Sequence, residues 1–174
     1  MRDEEAFVEF AEAVRGQLRR TAYLLCGDWD QASDHVQEGL IRVYVAWPRL
    51  TRAGREYSYA RKAVVSAFLD HARRRSSAEV PAEPDRNLSS GQDVAESVAV
   101  RAALMSALSD LPVRQRACVV LRYFDDLSVV DTAAVLGCSE GTVKSQTSRA
   151  LASLRSTFEG SPVGGLATEG ATPW

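Results

Sequence analysis

Apolar residues in the first part of the chain recur at steps of three and four, the spacing of one face of an α-helix. This pattern predicts a first helix that ends at Gly27-Asp28. A second helix is predicted to stop at Pro48, because proline lacks the N–H that a helix interior needs. Residues 49–56 are predicted to form a loop, and a third helix is predicted from about Tyr57 to Arg75. The second helix is expected to bury Val36, Leu40 and Tyr44.

Helical spacing returns in the second part of the chain. One helix is predicted up to Pro112, and another from Arg114 to Phe124, followed by a turn at Asp125-Asp126. The second of these offers four side chains for packing, namely Cys118, Val119, Leu121 and Tyr123. No segment shows the alternating pattern of a β-strand.

A pair of helices at the C-terminal end has its own start and stop signals. Ser128 is a favourable N-cap for a short helix that reaches Leu136, and Gly137 suits a left-handed C-terminal cap. Ser139 is predicted to cap a last helix that runs to about Phe158. Two short helices joined by a tight turn form a helix-turn-helix.

The segment between these two helical parts has a different composition. Prolines, serines, a glycine and acidic residues replace the apolar period over residues 76–96, which is typical of a linker. We therefore expect an all-α protein with two small helical domains joined by a flexible acidic linker. The expected boundaries are 1–76 for the first domain, 77–96 for the linker, 97–158 for the second domain and 159–174 for a disordered tail.

Composition excludes several classes of protein. The 174 residues are 25% charged and 45% hydrophobic, and no apolar run approaches the ~18 residues that cross a bilayer. The acidic N-terminus is unlike a secretory signal, and three cysteines without a C-x-x-C favour neither a disulfide framework nor a zinc site. We expect a reduced, cytoplasmic protein with no membrane insertion. The net charge is −2, yet residues 1–75 and 99–158 are each slightly basic, which weakly favours contact with a polyanion.

The last predicted helix has a polar stripe on the face opposite its apolar residues. Side chains of this kind reach base edges in a major groove, where glutamine suits adenine and arginine suits guanine, and flanking residues hold phosphates. The candidate DNA-reading residues are Thr142, Lys144, Ser145, Gln146, Ser148 and Arg149. An ordinary helical hairpin with a solvated outer face remains the alternative for this pattern alone.

The block Gly137-Cys138-Ser139-Glu140-Gly141-Thr142-Val143-Lys144-Ser145 resembles the core of the DNA-reading helix in bacterial sigma factors. The segment 32–44 is similar to the polymerase-binding helix of sigma domain 2. The chain is thus identified as resembling extracytoplasmic-function sigma factors of the actinobacterial SigE-like group. The resemblance implies that the clamp helices of the largest RNA polymerase subunit contact Asp34, Gln37, Glu38 and Arg42.

The third helix resembles the sigma helix that recognises the minus-ten promoter element. By this resemblance, its basic groups hold the phosphates of a melted strand. The residues implied are Arg61, Lys62, Ser66, Leu69, Asp70, Arg73 and Arg74. The loop from Pro48 to Glu56 is implied to form a pocket for a flipped base, with Arg49, Arg52 and Arg55 as candidate contributors.

The resemblance implies recruitment of core RNA polymerase to promoter DNA, with the second domain also contacting the polymerase flap. An anti-sigma factor is the regulatory partner expected by family analogy. No catalytic residues, metal site, cofactor or small-molecule substrate are expected, because neither His35 nor His71 has a paired carboxylate or cysteine at ligand spacing. The competing hypothesis is a two-domain helix-turn-helix regulator that binds duplex DNA without being a polymerase subunit.

Overall fold

The computed structural model describes residues 2–77 and 95–159, and within these ranges every regular element is a helix. The predicted tail and most of the predicted linker lie outside the described residues. The helices are α1 (Arg2–Cys26), α2 (Trp29–Leu50), α3 (Glu56–Ser77), α4 (Ala95–Ser109), α5 (Val113–Val119), α6 (Val129–Leu136) and α7 (Glu140–Glu159). A one-turn 3₁₀ helix, Thr51–Ala53, follows α2, and a π-helical turn, Val120–Phe124, follows α5.

Helices α1, α2 and α3 form an N-terminal unit around one apolar cluster. Buried residues of all three helices meet there, with Leu18, Val36, Val43 and Val64 near its centre. Gly39 lets α2 approach α3 closely, because a Cβ at this position would lie 2.6 Å from Cγ2 of Val64. The predicted all-α class is confirmed, and so is the end of α1 before Gly27, whose φ of +79° suits glycine.

The prediction that Pro48 stops the second helix is wrong. Pro48 lies inside α2, which continues to Leu50 and then into the 3₁₀ turn, so part of the predicted loop is helical. Trp47 and Leu50 are both buried, and this packing holds the last turn despite the missing N–H. The left-handed Gly54 then ends the helical path.

Two aromatic residues expected inside are on the surface. Tyr44 is 51% exposed because Val43 takes the centre of the buried stripe and leaves Tyr44 at its edge, against Phe7. Tyr123 is 57% exposed. The widened π-helical turn after α5 adds a residue per turn and rotates the positions that follow it out of the register predicted for a continuous α-helix.

Helices α4 to α7 form a C-terminal unit, and it packs directly against the N-terminal unit. One apolar cluster contains Leu25, Val65 and Phe68 from the N-terminal unit and Leu121 and Leu136 from the C-terminal unit. A smaller cluster joins α4, α5 and α7. The sequence leaves the packing of the two units open, and the structure places them in contact.

Candidate nucleic-acid interface

The helix-turn-helix formed by α6 and α7 has the caps that the sequence predicts. The Ser128 hydroxyl accepts a hydrogen bond from the Asp131 N–H at 3.0 Å, and the Ser139 hydroxyl accepts one from the Thr142 N–H at 3.1 Å. Gly137 has φ +61° and ψ +43°, the left-handed conformation expected for the turn. These local bonds fix where α7 begins and therefore which of its side chains face outward.

One side of α7 is buried and the other is polar and open to solvent. Val143 and Ala150 are fully buried against the rest of the C-terminal unit. Of the candidate DNA-reading residues, Thr142 and Gln146 are half-buried, and four are exposed, namely Lys144, Ser145, Ser148 and Arg149. The Thr142 hydroxyl lies 2.8 Å from the Ser139 hydroxyl, so it belongs to the cap as well as to the stripe. The exposed face can offer two cations and two hydroxyl groups to a groove.

A second candidate surface lies on the outer face of α2. Asp34 and Gln37 are exposed, and Glu38 and Arg42 are half-buried. Arg42 forms an ion pair with Glu38 at 2.5 Å, and its guanidinium lies 3.7 Å from the carboxylate of Asp70 on α3.

Asp70 links this α2 surface to the predicted minus-ten residues. Its carboxylate lies 3.2 Å from the Arg73 guanidinium as well as near Arg42. The structure therefore connects the two predicted sets through one line of charges from Glu38 to Arg73. Exposed pairs of this kind add less than about 1 kcal/mol each to stability, so they orient side chains more than they hold the fold together.

A histidine pair lies beneath this charged line. His35 is buried, and its ring meets those of Phe68 and His71 edge to face, with centroid distances of 6.0 and 5.4 Å. Burial, followed by the nearby His71, lowers the pKa of His35 below its ordinary value. Among residues 2–77 and 95–159, no group of three or more His, Cys, Asp or Glu side chains is arranged to hold a metal ion.

The predicted minus-ten residues on α3 differ in accessibility. Lys62, Arg73 and Arg74 are exposed, whereas Ser66, Leu69 and Asp70 are half-buried. The Arg61 side chain is only 12% exposed, because the C-terminal unit covers it. The exposed cations of α3 are therefore accessible to a polyanion. Arg61 is not accessible to one while the two units pack in this way.

The turn after α5 brings an acidic side chain to Arg61. The Asp125 carboxylate is 5% exposed, and its Oδ2 lies 3.2 Å from Nε of Arg61. The Thr21 hydroxyl of α1 donates a hydrogen bond of 2.7 Å to Oδ1 of Asp125. Burial raises the pKa of Asp125, while the Thr21 hydrogen bond and the Arg61 charge oppose that rise. The Arg61 guanidinium also lies 4.7 Å from the centre of the Tyr57 ring.

Sequence reasoning missed this contact and a second one beside it. Arg116 of α5 donates a hydrogen bond of 2.7 Å to the carbonyl of Leu25, 91 residues away, and further bonds to the carbonyls of Ser109 and Leu111. The chain signals a turn at Asp125, but no local pattern indicates which side chains from the distant unit will meet it.

A basic cavity lies where the predicted base-pocket loop faces α6. Its volume is about 640 Å³. Arg49, Arg55, Arg61 and Lys62 line the side formed by the N-terminal unit, and Asp131 of α6 lines the other. Arg52, the third arginine predicted for this loop, instead donates a hydrogen bond of 2.8 Å to the Pro48 carbonyl at the end of α2.

A larger groove of about 870 Å³ runs between α1 and α2. Exposed apolar side chains, including Val8, Ile41 and Tyr44, line it beside the α2 surface described above. Across the described ranges, none of the helices has the length and apolar character that would let it cross a membrane.

Comparison with known proteins assigns both helical units. The model described as "Sigma-70 region 2" matches residues 10–78, and the model described as "Sigma-70, region 4" matches residues 101–154. An RNA polymerase sigma-E factor of Streptomyces avermitilis is 39% identical over 157 residues, covering 87% of this chain and 86% of the relative. The ECF RNA polymerase sigma factor SigM of Mycobacterium tuberculosis is 33% identical over 152 residues, covering 87% and 76%.

A solved structure shares the fold. It is the sigma factor RpoE of Bartonella quintana in complex with the anti-sigma factor NepR, with a TM-score of 0.67 and 23% sequence identity over 90% of this chain and 98% of that one. The two family models and the two sigma-factor relatives confirm the family resemblance predicted from the sequence. The chain belongs to the extracytoplasmic-function group of the sigma-70 family, the sigma factors that bind core RNA polymerase and direct promoter-specific transcription initiation.

Proposed function

We propose that the two units divide the work of promoter recognition. In this proposal residues 1–76 bind core RNA polymerase and the minus-ten element, and residues 97–158 bind the minus-thirty-five element. The observation that carries the division is that the polar face of α7 and the basic end of α3 belong to different units. Two modest interfaces on one chain then act together through their effective concentration.

The polymerase-binding surface is assigned to Asp34, Gln37, Glu38 and Arg42. Asp34 and Gln37 are exposed, and Glu38 and Arg42 are partly exposed. The neighbouring apolar groove adds contact area that these polar side chains alone do not supply. A mixed-charge face beside exposed apolar side chains suits a protein partner, here the clamp helices of the largest polymerase subunit. The C-terminal unit is assigned a further contact with the polymerase flap.

The minus-ten surface is assigned to α3. Lys62, Arg73 and Arg74 project into solvent and are suited to the phosphates of a melted strand. Ser66 and Leu69 are half-buried beside them, where they can contact a base edge, and Asp70 positions Arg42 and Arg73 through its two ion pairs. Arg61 belongs to the assigned set as well, although its side chain is only 12% exposed beside Asp125.

The minus-thirty-five surface is assigned to α7. Arg149 and Gln146 are placed to read base edges, and Lys144 and Ser148 flank them towards the phosphates. Ser145 adds a short hydroxyl, and Thr142 helps to fix the first turn through the Ser139 cap. Duplex DNA is the ligand proposed for this face, because a helix of this kind fits the major groove.

The role is recruitment rather than catalysis, and the chain is assigned to the cytoplasm, where its polymerase partner works. No cofactor or small-molecule substrate enters the proposal. An anti-sigma factor is a further proposed partner, by analogy with the RpoE–NepR complex.

The polymerase assignment is tested by the affinity of the fluorescently labelled chain for bacterial core RNA polymerase. The double variant Asp34→Lys, Glu38→Lys reverses the charge of the α2 face, and we expect its affinity to fall at least tenfold. The double variant Glu9→Lys, Glu12→Lys reverses two exposed acids of α1 and serves as the matched control, with affinity near that of the parent chain. Equal affinities for all three chains would place the polymerase contact elsewhere.

A further inference from the structure

The basic cavity between the N-terminal unit and α6 collects cations from two neighbouring segments of the chain. Arg49 lies in the last turn of α2, and Arg55 follows the 3₁₀ turn. Gly54, with φ +60° and ψ +35°, reverses the chain direction before Arg55, and both arginines line the cavity. Arg61 and Lys62 of α3 line it as well. The turn and the start of α3 thus bring four cationic side chains around one space.

Acidic side chains do not balance these cations. Asp131 of α6 is the one carboxylate among the described residues that line the cavity, so four cations face a single acid and leave an excess of three positive charges. Asp125 pairs with Arg61 at 3.2 Å but does not line the cavity, and Nε of Arg61 is buried without a well-directed hydrogen bond to any described residue. A cleft lined mostly by one sign of charge attracts a counter-ion, because the bound anion relieves the repulsion between the like charges.

The cavity is large enough for a small molecule. Its volume of about 640 Å³ lies within the range of ordinary ligand pockets. Ser58 and Tyr59 of α3 add two hydroxyl groups to the cationic wall. The wall formed by the C-terminal unit contributes three apolar side chains, namely Leu127, Ala134 and Val135. One wall therefore suits an anion, and the other suits an uncharged group attached to it.

The kind of cation and the excess charge together indicate which anion fits. Three of the four cations are arginines, whose planar fork of donors matches two oxygens of a phosphate at once. A single phosphate group carries a charge of about −1.5 to −2 and would leave part of the excess positive charge unbalanced. Two or three linked phosphates supply enough negative charge, and they span a space that one phosphate would leave mostly empty.

We propose that the basic cavity is a binding site for a small molecule that carries two or three linked phosphates. Arg49, Arg55 and Lys62 are exposed and hold the phosphates, and the half-buried Arg61 adds charge beside them. A nucleoside triphosphate and inorganic triphosphate share this chemistry. The site is complete only while the two units pack together, since α6 forms its second wall. Ligand binding of this kind goes beyond the proposed function and requires neither DNA nor polymerase.

The first test is isothermal titration calorimetry of the full chain with inorganic triphosphate, ATP and adenosine. Magnesium is left out and the salt concentration is fixed, because both screen the phosphates. We expect one molecule of triphosphate or of ATP to bind per chain, with a dissociation constant below about 1 mM, and adenosine not to bind. Tighter binding of ATP identifies a nucleotide as the source, and equal or weaker binding identifies inorganic triphosphate. No binding of either would overturn the proposal.

The second test asks whether the cations of the cavity hold the phosphates. Arg55→Ala should weaken triphosphate binding roughly fivefold or more, because it removes a charge-assisted hydrogen-bond donor from the site. Arg52→Ala is the matched control: Arg52 lies in the same segment and carries the same charge, but it donates a hydrogen bond to the Pro48 carbonyl and does not line the cavity. Its affinity should stay within about twofold of the parent chain. Equal losses in the two variants, with both shown to be folded by circular dichroism, would mean diffuse attraction to a basic surface and would overturn the site.

The third test concerns the wall that α6 contributes. Asp131→Asn removes the one carboxylate that lines the cavity within the described part of the chain, so triphosphate should bind about two- to fivefold more tightly. Asp126→Asn removes the same charge at an exposed position outside the lining and should leave the affinity unchanged. Equal affinities for these two variants would overturn the two-walled site.

Failure of the proposed function gives a different result. Polymerase-dependent transcription by the parent chain without triphosphate binding would overturn the ligand site alone. Triphosphate binding with the expected order of variants, but without transcription, would instead overturn the proposed function and leave the ligand site standing.

Discussion

Gly39 of α2 lies so close to Val64 of α3 that a Cβ at position 39 would be 2.6 Å from the Val64 Cγ2 and 3.1 Å from its backbone nitrogen. Side-chain movement alone cannot relieve the second approach, because it involves the backbone of α3. The distance between the two helices to which we assign the proposed polymerase and minus-ten surfaces is therefore set by a glycine.

Replacement of Gly39 by alanine should destabilise the N-terminal unit. We expect the free energy of unfolding, measured by urea denaturation, to fall by about 1–3 kcal/mol because α2 and α3 must move apart. Gly16→Ala is the matched control, since Gly16 lies in α1 with open space around its Cα. That change should raise the free energy of unfolding by about 0.5–1 kcal/mol, because alanine has a higher helix propensity than glycine. A stabilising Gly39→Ala would contradict the close approach.

Arg116 joins the carbonyl ends of two helices, Leu25 of α1 and Ser109 of α4, and also bonds to the Leu111 carbonyl. Arg116→Met keeps much of the side-chain volume but removes every donor, so we expect a loss of about 2 kcal/mol in thermal or urea denaturation. Arg114→Met, at an exposed neighbouring position of α5, should change stability by less than about 0.5 kcal/mol. Similar losses for both variants would contradict the bridging role.

Stability should depend on pH through His35. Its pKa is lowered in the folded chain by burial and by His71; Arg74 also lowers it, and Glu38 and Asp34 oppose that effect. The unfolded chain therefore binds a proton that the folded chain does not, once the pH falls below the ordinary value of 6.5.

This sign means that the free energy of unfolding decreases as the pH falls from 6.5 towards the lowered pKa, by up to about 1.4 kcal/mol per pH unit for this group. Unfolding curves at pH 7.5, 6.5 and 5.5 measure the slope. The free energy of unfolding of His35→Gln should depend less steeply on pH than that of the parent chain. Identical slopes would show that the pKa of His35 is the same in the folded and the unfolded chain.

Ser139 is the cap on which the start of α7 depends. Ser139→Ala removes the acceptor for the Thr142 N–H and should cost about 1 kcal/mol of stability. It should also weaken binding to duplex promoter DNA, because the first turn that presents Thr142 and Ser145 frays. Ser156→Ala, at an exposed position near the other end of α7, is the control and should leave both quantities unchanged. Undiminished duplex binding by Ser139→Ala would show that the cap is not needed to present the stripe.

Features set by neighbouring residues were predictable from the sequence. The caps at Ser128 and Ser139 and the left-handed Gly137 each depend on a few adjacent positions, and the structure confirms all three. The polar face of α7 follows from them, because fixing the first turn fixes the phase of the helix.

Features set by distant residues were not predictable. The buried Trp47 and Leu50 keep α2 helical past Pro48, and the π-helical turn moves Tyr123 to the surface. Thr21 and Asp125 are 104 residues apart in the chain and form a hydrogen bond. No local pattern at either position predicts the other as its partner. The packing of the two units depends on such contacts. The sequence therefore predicts that both units are helical, but it does not predict how they pack together.

Run-off transcription measures whether this chain gives core RNA polymerase its promoter specificity. The reaction contains bacterial core polymerase and a template from the chain's own upstream region, with and without the protein. We expect a discrete transcript that appears only with the protein and is lost in the double variant Asp34→Lys, Glu38→Lys. Tight binding of the protein to duplex DNA, with no transcript and no binding to core polymerase, would exclude this role in initiation and favour a plain helix-turn-helix regulator.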